Sequence, residues 1–225
     1  MDYREDPPPP HLEGLVKARW TLAGSGAPSE WVEQQAVPDG CVEIIRRLAG
    51  RSRWGGTQPE SFTVGLIERP EPFGISGDSR FEGLRLWPWA WRLVSDIPLA
   101  EMRGRWLPFE TGAIEPRLAG ASALAAIGKA IIAAQSVGEM SRATGMSPRT
   151  LQRWFARNVG LPPRRYLRLL RFQKAFELVP GEASLADHAA AQGFADQAHM
   201  AREFREMAGV PARQARRTAR GPFLT

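Results

Sequence analysis

Apolar residues recur along this chain with two different periods, and the change falls near residue 115. Between Leu15 and Leu22, the residues Val16, Ala18, Trp20 and Leu22 alternate with Lys17, Arg19 and Thr21, the period of two that one half-buried strand face requires. Phe62, Val64 and Leu66 repeat the pattern. Gly24-Ser25-Gly26, Pro38-Asp39-Gly40, Gly55-Gly56 and Ser76-Gly77-Asp78 punctuate the runs as tight turns would. The pattern predicts a mainly β domain over residues 12–115, a small barrel with a short helix near Trp89 to Ser95. The proline-rich segment 1–11 reads as a disordered or extended tail.

After Glu115-Pro116 the spacing turns helical. Leu124, Ile127 and Ile131 stand three and four apart in an alanine-rich run, so one stripe can pack on a neighbour. Residues 137–155 and 185–204 form a weak internal repeat. In each copy a serine precedes an acid by three, Ser136 with Glu139 and Ser184 with Asp187, as in a capping box. A short helix then reaches Gly145 or Gly193, where a positive φ turns the chain. A second helix follows, opened in the first copy by Ser147 as N-cap with Pro148 behind it. Residues 163–179 join the copies as one helix, with Tyr166, Leu169, Phe172 and Ala175 inward. The expected fold is therefore α+β and multidomain: a mainly β first domain, then an all-α domain over 116–218 with two helix-turn-helix units and a linker helix, and a tail over 219–225.

Charge follows the same division. The net charge is +6, yet residues 1–135 carry 15 basic and 17 acidic side chains, whereas residues 136–225 carry 15 and 7. The basic character lies in the helical half, which points to a polyanionic partner there. On the second helix of copy one, Leu151, Trp154 and Phe155 share a side, leaving Arg149, Gln152, Arg153 and Arg157 on the other. In copy two Met200, Phe204 and Met207 form the inner stripe, with Ala198, His199, Arg202 and Arg205 outward and Gln197 at the helix start.

The stretch GMSPRTLQRWFARNVGLPPRRYLRLLRFQKA, followed by SLADHAAAQGFADQAHMAREFREMAGVPARQAR, resembles the DNA-binding domain of AraC/XylS-type transcriptional regulators. The matching residues are Ser147, Leu151, Arg153 and Phe155, then Tyr166, Arg171 and Ala175, then Gly193, Phe194, Asp196, Gln197, His199, Phe204, Gly209 and Pro211. Met200 stands where the family usually has an aromatic, Ala198 and Ala201 where serine is common, and Gln214 where a tyrosine is common. In the first half, VPDGCVEIIRRL and FEGLRLWPWAW resemble uncharacterised sensor halves of such regulators. The resemblance implies double-stranded DNA as partner, with recognition helices in successive major grooves about 34 Å apart. Base readout is then expected from Arg149, Gln152 and Arg153 in one unit and from Gln197, His199 and Arg202 in the other, since arginine suits guanine and glutamine suits adenine. Ser147, Thr150, Arg157, Arg164, Arg165, Arg168, Asp196 and Arg205 are expected to touch phosphate or cap helices. RNA polymerase contact and homodimerisation follow by family analogy.

The first half shows no Gly-rich phosphate loop, no nucleophile elbow and one imidazole, His11. One cysteine, Cys41, and three histidines exclude a disulfide and Cys-rich or His-cluster metal sites, so no cofactor and no metal are expected. Trp87, Trp89 and Trp91 read either as core or as the wall of a pocket for a small-molecule effector. No apolar run approaches the ~20 residues of a membrane span, and the acidic, proline-rich start lacks signal-peptide features, so no membrane partner and a cytoplasmic location are expected. Two other readings remain open: an enzyme with a nucleic-acid-binding helical accessory, and RNA or membrane-surface binding by the basic helices.

Overall fold

A computed structural model describes residues 1–110, 112, 114–178, 189, 191–220 and 223–224. The alternation in residues 16–22 becomes β2 (Val16–Ala23), whose Ala18, Trp20 and Leu22 are buried while Arg19 and Thr21 are exposed. Ahead of it β1 (Asp2–Asp6) pairs antiparallel with β2 over its whole length. Residues 2–6 are therefore a strand rather than a disordered tail. Tyr3 explains the difference: its ring packs near Trp20 and anchors an otherwise exposed, charged edge.

The remaining strands of the first half are β3 (Trp31–Ala36), β4 (Val42–Ala49), β5 (Ser52–Arg53), β6 (Ser61–Val64), β7 (Glu71–Ser76), β8 (Arg80–Leu86) and β9 (Trp106–Pro108). They form two open antiparallel sheets, not the closed barrel expected from the strand spacing. One runs β1-β2-β8-β4-β6-β9 and the other includes β3-β7-β5. Trp20, Leu22 and Phe81 from the first sheet meet Ile75 from the second in a buried inter-sheet cluster. The other face of the first sheet, with Val42, Ile44 and Leu86, joins the core that continues into the helices. Both faces are thus covered, which is why Thr63 is as buried as Phe62 and β6 does not alternate.

Between β8 and the helical half the chain makes a 3-10 helix over Pro88–Leu93, shorter than the helix expected to reach Ser95. Helices α1 (Leu99–Met102), α2 (Ile114–Leu118), α3 (Ser122–Ala133), α4 (Val137–Thr144), α5 (Pro148–Asn158), α6 (Pro163–Leu178), α7 (Gln197–Ala208) and α8 (Ala212–Thr218) follow. The junction near residue 115 is not an open linker. Ile114 and Leu118 of α2 are buried, and Glu115 forms an ion pair with Arg19 of β2.

The two halves share one apolar core. Trp89 is fully buried, stacks on Trp87 at 5.8 Å, meets Trp154 of α5 at 6.0 Å and Tyr166 of α6 at 6.1 Å. Its indole N–H donates to the Gly14 carbonyl at 2.6 Å. Gly128 of α3 permits this approach, because a Cβ there would lie 2.4 Å from the Gly14 carbonyl oxygen and 2.5 Å from the Trp89 ring nitrogen. Tyr166 Oη donates to the Gly40 carbonyl at 3.0 Å, and Lys17 pairs with Glu177 at 2.7 Å.

After α8 the chain returns to the first half. Strands β10 (Ala219–Arg220) and β11 (Phe223–Leu224) pair with each other, and β11 pairs with β3, completing the order β10-β11-β3-β7-β5. The expected free tail over 219–225 is corrected by this pairing. The apolar pair Phe223-Leu224 has a sheet edge and an aromatic cluster to bury against, a tertiary partner that local pattern does not reveal.

Candidate nucleic-acid interface

Each helix-turn-helix unit is built by side-chain caps. Ser136 Oγ accepts from the Glu139 N–H at 3.1 Å and opens α4, while Glu139 reaches back to the Gln135 N–H at 2.8 Å. Gly145, with φ of 67°, turns the chain. Ser147 then caps α5 by accepting from the Thr150 N–H at 3.2 Å, with Thr150 Oγ1 2.9 Å from Ser147 Oγ. Both hydroxyls are engaged at the cap. In the second unit Gly193 has φ of 73°, and Asp196 Oδ1 accepts from the His199 N–H at 2.6 Å to open α7. The Ser184–Asp187 pair and most of the first helix of this unit lie outside the described residues.

The inner stripes fall where the wheel puts them. Leu151 and Phe155 are buried on α5, as are Met200, Phe204 and Met207 on α7. The opposite face of α5 leaves Arg149, Gln152, Arg153 and Arg157 exposed, and α7 leaves Gln197, Ala198, Arg202 and Arg205 exposed. Arg164 is exposed at the start of α6. Arg149, Gln152 and Arg153 lie in the first two turns of α5, and Gln197 and Arg202 in those of α7, near capped helix starts whose unpaired backbone N–H groups also favour anions.

Three expected contacts are placed differently. His199 is folded back onto its own cap. Its Nδ1 accepts from the Ala195 N–H at 3.3 Å, its ring meets Phe194 edge-on at 5.5 Å, and Nε2 lies 3.8 Å from Glu203 Oε1. A residue three beyond an N-cap is within reach of the loop before it, and that loop captures the imidazole. Arg168 is held by two acids of α7: its Nε donates to Glu203 at 2.6 Å and its Nη1 to Glu206 at 2.8 Å. It joins the linker helix to the second unit instead of facing phosphate. The hydrogen bond from Arg168 holds the Glu206 carboxyl below the usual range. Arg165 forms an ion pair with Glu68 of the first half. Glu203 and Glu206, three apart on α7, are the sequence signal for this network.

The tryptophans Trp87, Trp89 and Trp91 are all buried in the core that spans the two halves. Trp89 and Trp91 are completely buried, and the Trp91 indole donates to the Ile97 carbonyl at 2.8 Å. Trp89 and Trp91 within the 3-10 turn and Trp87 at its start pack into the seam between the halves. The first half holds instead a polar cluster that the residue pattern did not single out. Arg85, 1 % exposed, sits opposite Glu43 on the neighbouring strand. Its guanidinium reaches Glu43 at 2.6 Å, Glu5 at 2.8 Å and Asp39 at 3.1 Å. The second oxygen of Glu43 accepts from the Trp20 indole at 2.6 Å. A basic residue inside the apolar run FEGLRLW and an acid inside VPDGCVEII were the available signal. Burial pushes the Glu43 carboxyl and the Cys41 thiol up, and an inaccessible thiol of raised pKa makes no redox sensor. Among the described residues no group of three or more His, Cys, Asp or Glu side chains is placed to hold a metal ion.

A family model described as a helix-turn-helix domain matches residues 140–218. Residues 140–218 thus carry a helix-turn-helix domain. A second model, a domain of unknown function (DUF6597), matches residues 4–108. Among solved structures, an AraC-type regulator from Chromobacterium violaceum is 24% identical, covering 44% of this chain and 88% of its own, with a TM-score of 0.38. A probable AraC family regulator from Rhodopseudomonas palustris CGA009 gives the same identity and TM-score over 44% of this chain and 98% of its own. ToxT from Vibrio cholerae O395 is 9% identical over 95% of this chain and 96% of its own, with a TM-score of 0.45. Among curated proteins none matches. The matched module, a helix-turn-helix, is a DNA-binding fold. Among the described residues no helix is long and apolar enough to cross a membrane.

Proposed function

We propose that the chain binds one asymmetric DNA site by placing the N-terminal turns of α5 and α7 in successive major grooves. The observation that carries the reading is the pairing of two side-chain-capped helices, each buried along one stripe and exposing arginine and glutamine along the other. Arg149, Gln152 and Arg153 read bases from the first helix, and Gln197 and Arg202 from the second, each contributing about 1–3 kcal/mol of discrimination. Arg157, Arg164 and Arg205 contact phosphate and set the salt dependence. The first half modulates the DNA-reading half, by an effector or as a homodimer contact, and RNA polymerase is the downstream partner. Selection of genomic fragments on the full chain tests the reading. Recovery of a single unsymmetrical motif spanning two major-groove segments supports it; equal retention of all sequences at moderate salt overturns it.

A further inference from the structure

A cavity of about 90 Å3 lies between the two sheets. Trp20, Ile45, Phe62, Phe73 and Phe81 wall it with apolar surface, and Phe223 from β11 closes one side. Phe223 is the one wall residue that comes from beyond the helical half. Its ring lies 5.4 Å from Phe73, 5.7 Å from Tyr3 and 6.4 Å from Trp20, each time tilted toward edge-on. It occupies an aromatic box made by the first half.

One buried polar side chain that lines this space, and a second on the strand face beside it, have no partner among the described residues. Ser52 Oγ lines the cavity and has none, and Ser52 is 2 % exposed. Gln34, 3 % exposed, has neither amide atom satisfied. By strand alternation Gln34 shares the face of Ala36, which lines the cavity, and it stands opposite Phe73 in the ladder. An unsatisfied buried hydroxyl or amide costs about 1–3 kcal/mol, so these groups favour a ligand that can hydrogen-bond. The carboxylates at the cavity, Asp39 and Glu43, are already spent on Arg85, the Trp20 indole and the Cys41 N–H. They offer nothing to an anion and repel one.

Size then decides the role of Phe223. A dry apolar cavity that accepts benzene measures about 150 Å3, so the 90 Å3 present with Phe223 in place is too small for an aromatic ring. We propose that the inter-sheet space is a binding site for a neutral aromatic small molecule bearing one hydrogen-bonding group, and that Phe223 is its internal competitor. Entry of the ring displaces Phe223 and unpairs β11 from β3, which frees the segment directly after α8. The proposal rests on the reading of the first half as a modulator of DNA binding.

Phenol and benzoate, rings of equal size differing in charge at neutral pH, are the probes. With the full chain, phenol is expected to bind and to speed amide exchange in peptides covering residues 31–36 and the C-terminal strand, while benzoate does neither. The Phe223→Ala chain is expected to bind phenol at least tenfold more tightly than the parent. Unchanged or slowed exchange in the parent chain with phenol, equal binding of benzoate, or equal phenol affinity in the two chains overturns the proposal. The exchange arm needs no variant, so it holds even if Phe223→Ala fails to fold. Operator affinity measured on the same samples separates the two readings. Phenol binding with exchange faster and DNA affinity unmoved keeps the site and removes the modulator.

Discussion

Arg153 shows what a single exposed side chain contributes. It lies exposed on the outer face of α5, opposite the buried Leu151 and Phe155. Replacement by alanine should therefore leave the melting temperature within experimental error while weakening binding to the selected site by about 1–3 kcal/mol. A binding titration beside a thermal melt checks both halves of that expectation. Glu206 is the opposite case, a surface acid with a fixed partner. Its folded pKa is lowered, first by the hydrogen bond from Arg168. A depressed carboxyl stabilises the fold above its unfolded pKa, and that contribution is lost as pH falls through the folded value. Glu206→Gln should thus flatten the loss of stability on the acid side and change little at low pH, a modest effect for a pair so open to solvent. Denaturant midpoints of both chains across the acid range provide the measurement. Roles at this scale were only partly legible. The exposed face of α5 follows from helical periodicity alone, but Arg168 and His199 sit at equally outward positions and are consumed by Glu203, Glu206 and Ala195. Periodicity gives direction; it does not say which neighbour arrives there.

At the level of elements, helices with local signals could be read and strands with distant partners could not. Ser147-Pro148 and Asp196 mark the starts of α5 and α7 because an N-cap bonds only three residues away. β1 and β11 had no such signal: each is a strand because another strand offers its edge, β2 across one loop for β1 and β3 at the other end of the chain for β11. The same holds for the absence of barrel closure, since alternation reports a buried face without saying which sheet covers it. Packing between elements supplies a direct test at α3. Gly128 faces the Gly14 carbonyl and the Trp89 indole at distances no Cβ tolerates. Gly128→Ala would gain helix propensity of about 1 kcal/mol in isolation, yet the added methyl must push α3 off the 3-10 helix or break the Trp89 hydrogen bond. Overpacking of this kind costs about 1–3 kcal/mol or more, so the net result should be destabilisation with a shifted Trp fluorescence maximum. A chain made more stable by this substitution would mean that α3 does not pack where the structure puts it.

For the molecule as a whole, the division read from charge and period does not divide the core. The helix-turn-helix match falls within the basic half, yet Val42, Trp89, Phe155, Tyr166 and Phe204 belong to one continuous apolar cluster. Polar ties follow the same seam along α6: Tyr166 to Gly40, Lys17 to Glu177, and Arg165 to Glu68. Two independent domains would melt independently, whereas a shared core makes each half lose buried area when the other unfolds. Nature has placed convenient reporters for this. Seven of the eight tryptophans lie in the first half, and the long helices lie in the second, so fluorescence and far-ultraviolet circular dichroism watch different halves. Urea unfolding curves from the two probes should coincide, with a single midpoint and a single slope. Tyr166→Phe, which leaves the buried Gly40 carbonyl without its donor, should move both curves together by about 1–3 kcal/mol. If the helical signal stays put while the fluorescence moves, the halves are mechanically separate, and no event in the first half could reach α5 and α7 through the core. Coincidence would mean that a change between the two sheets is felt at the DNA-reading face through packing alone, without a flexible linker to absorb it.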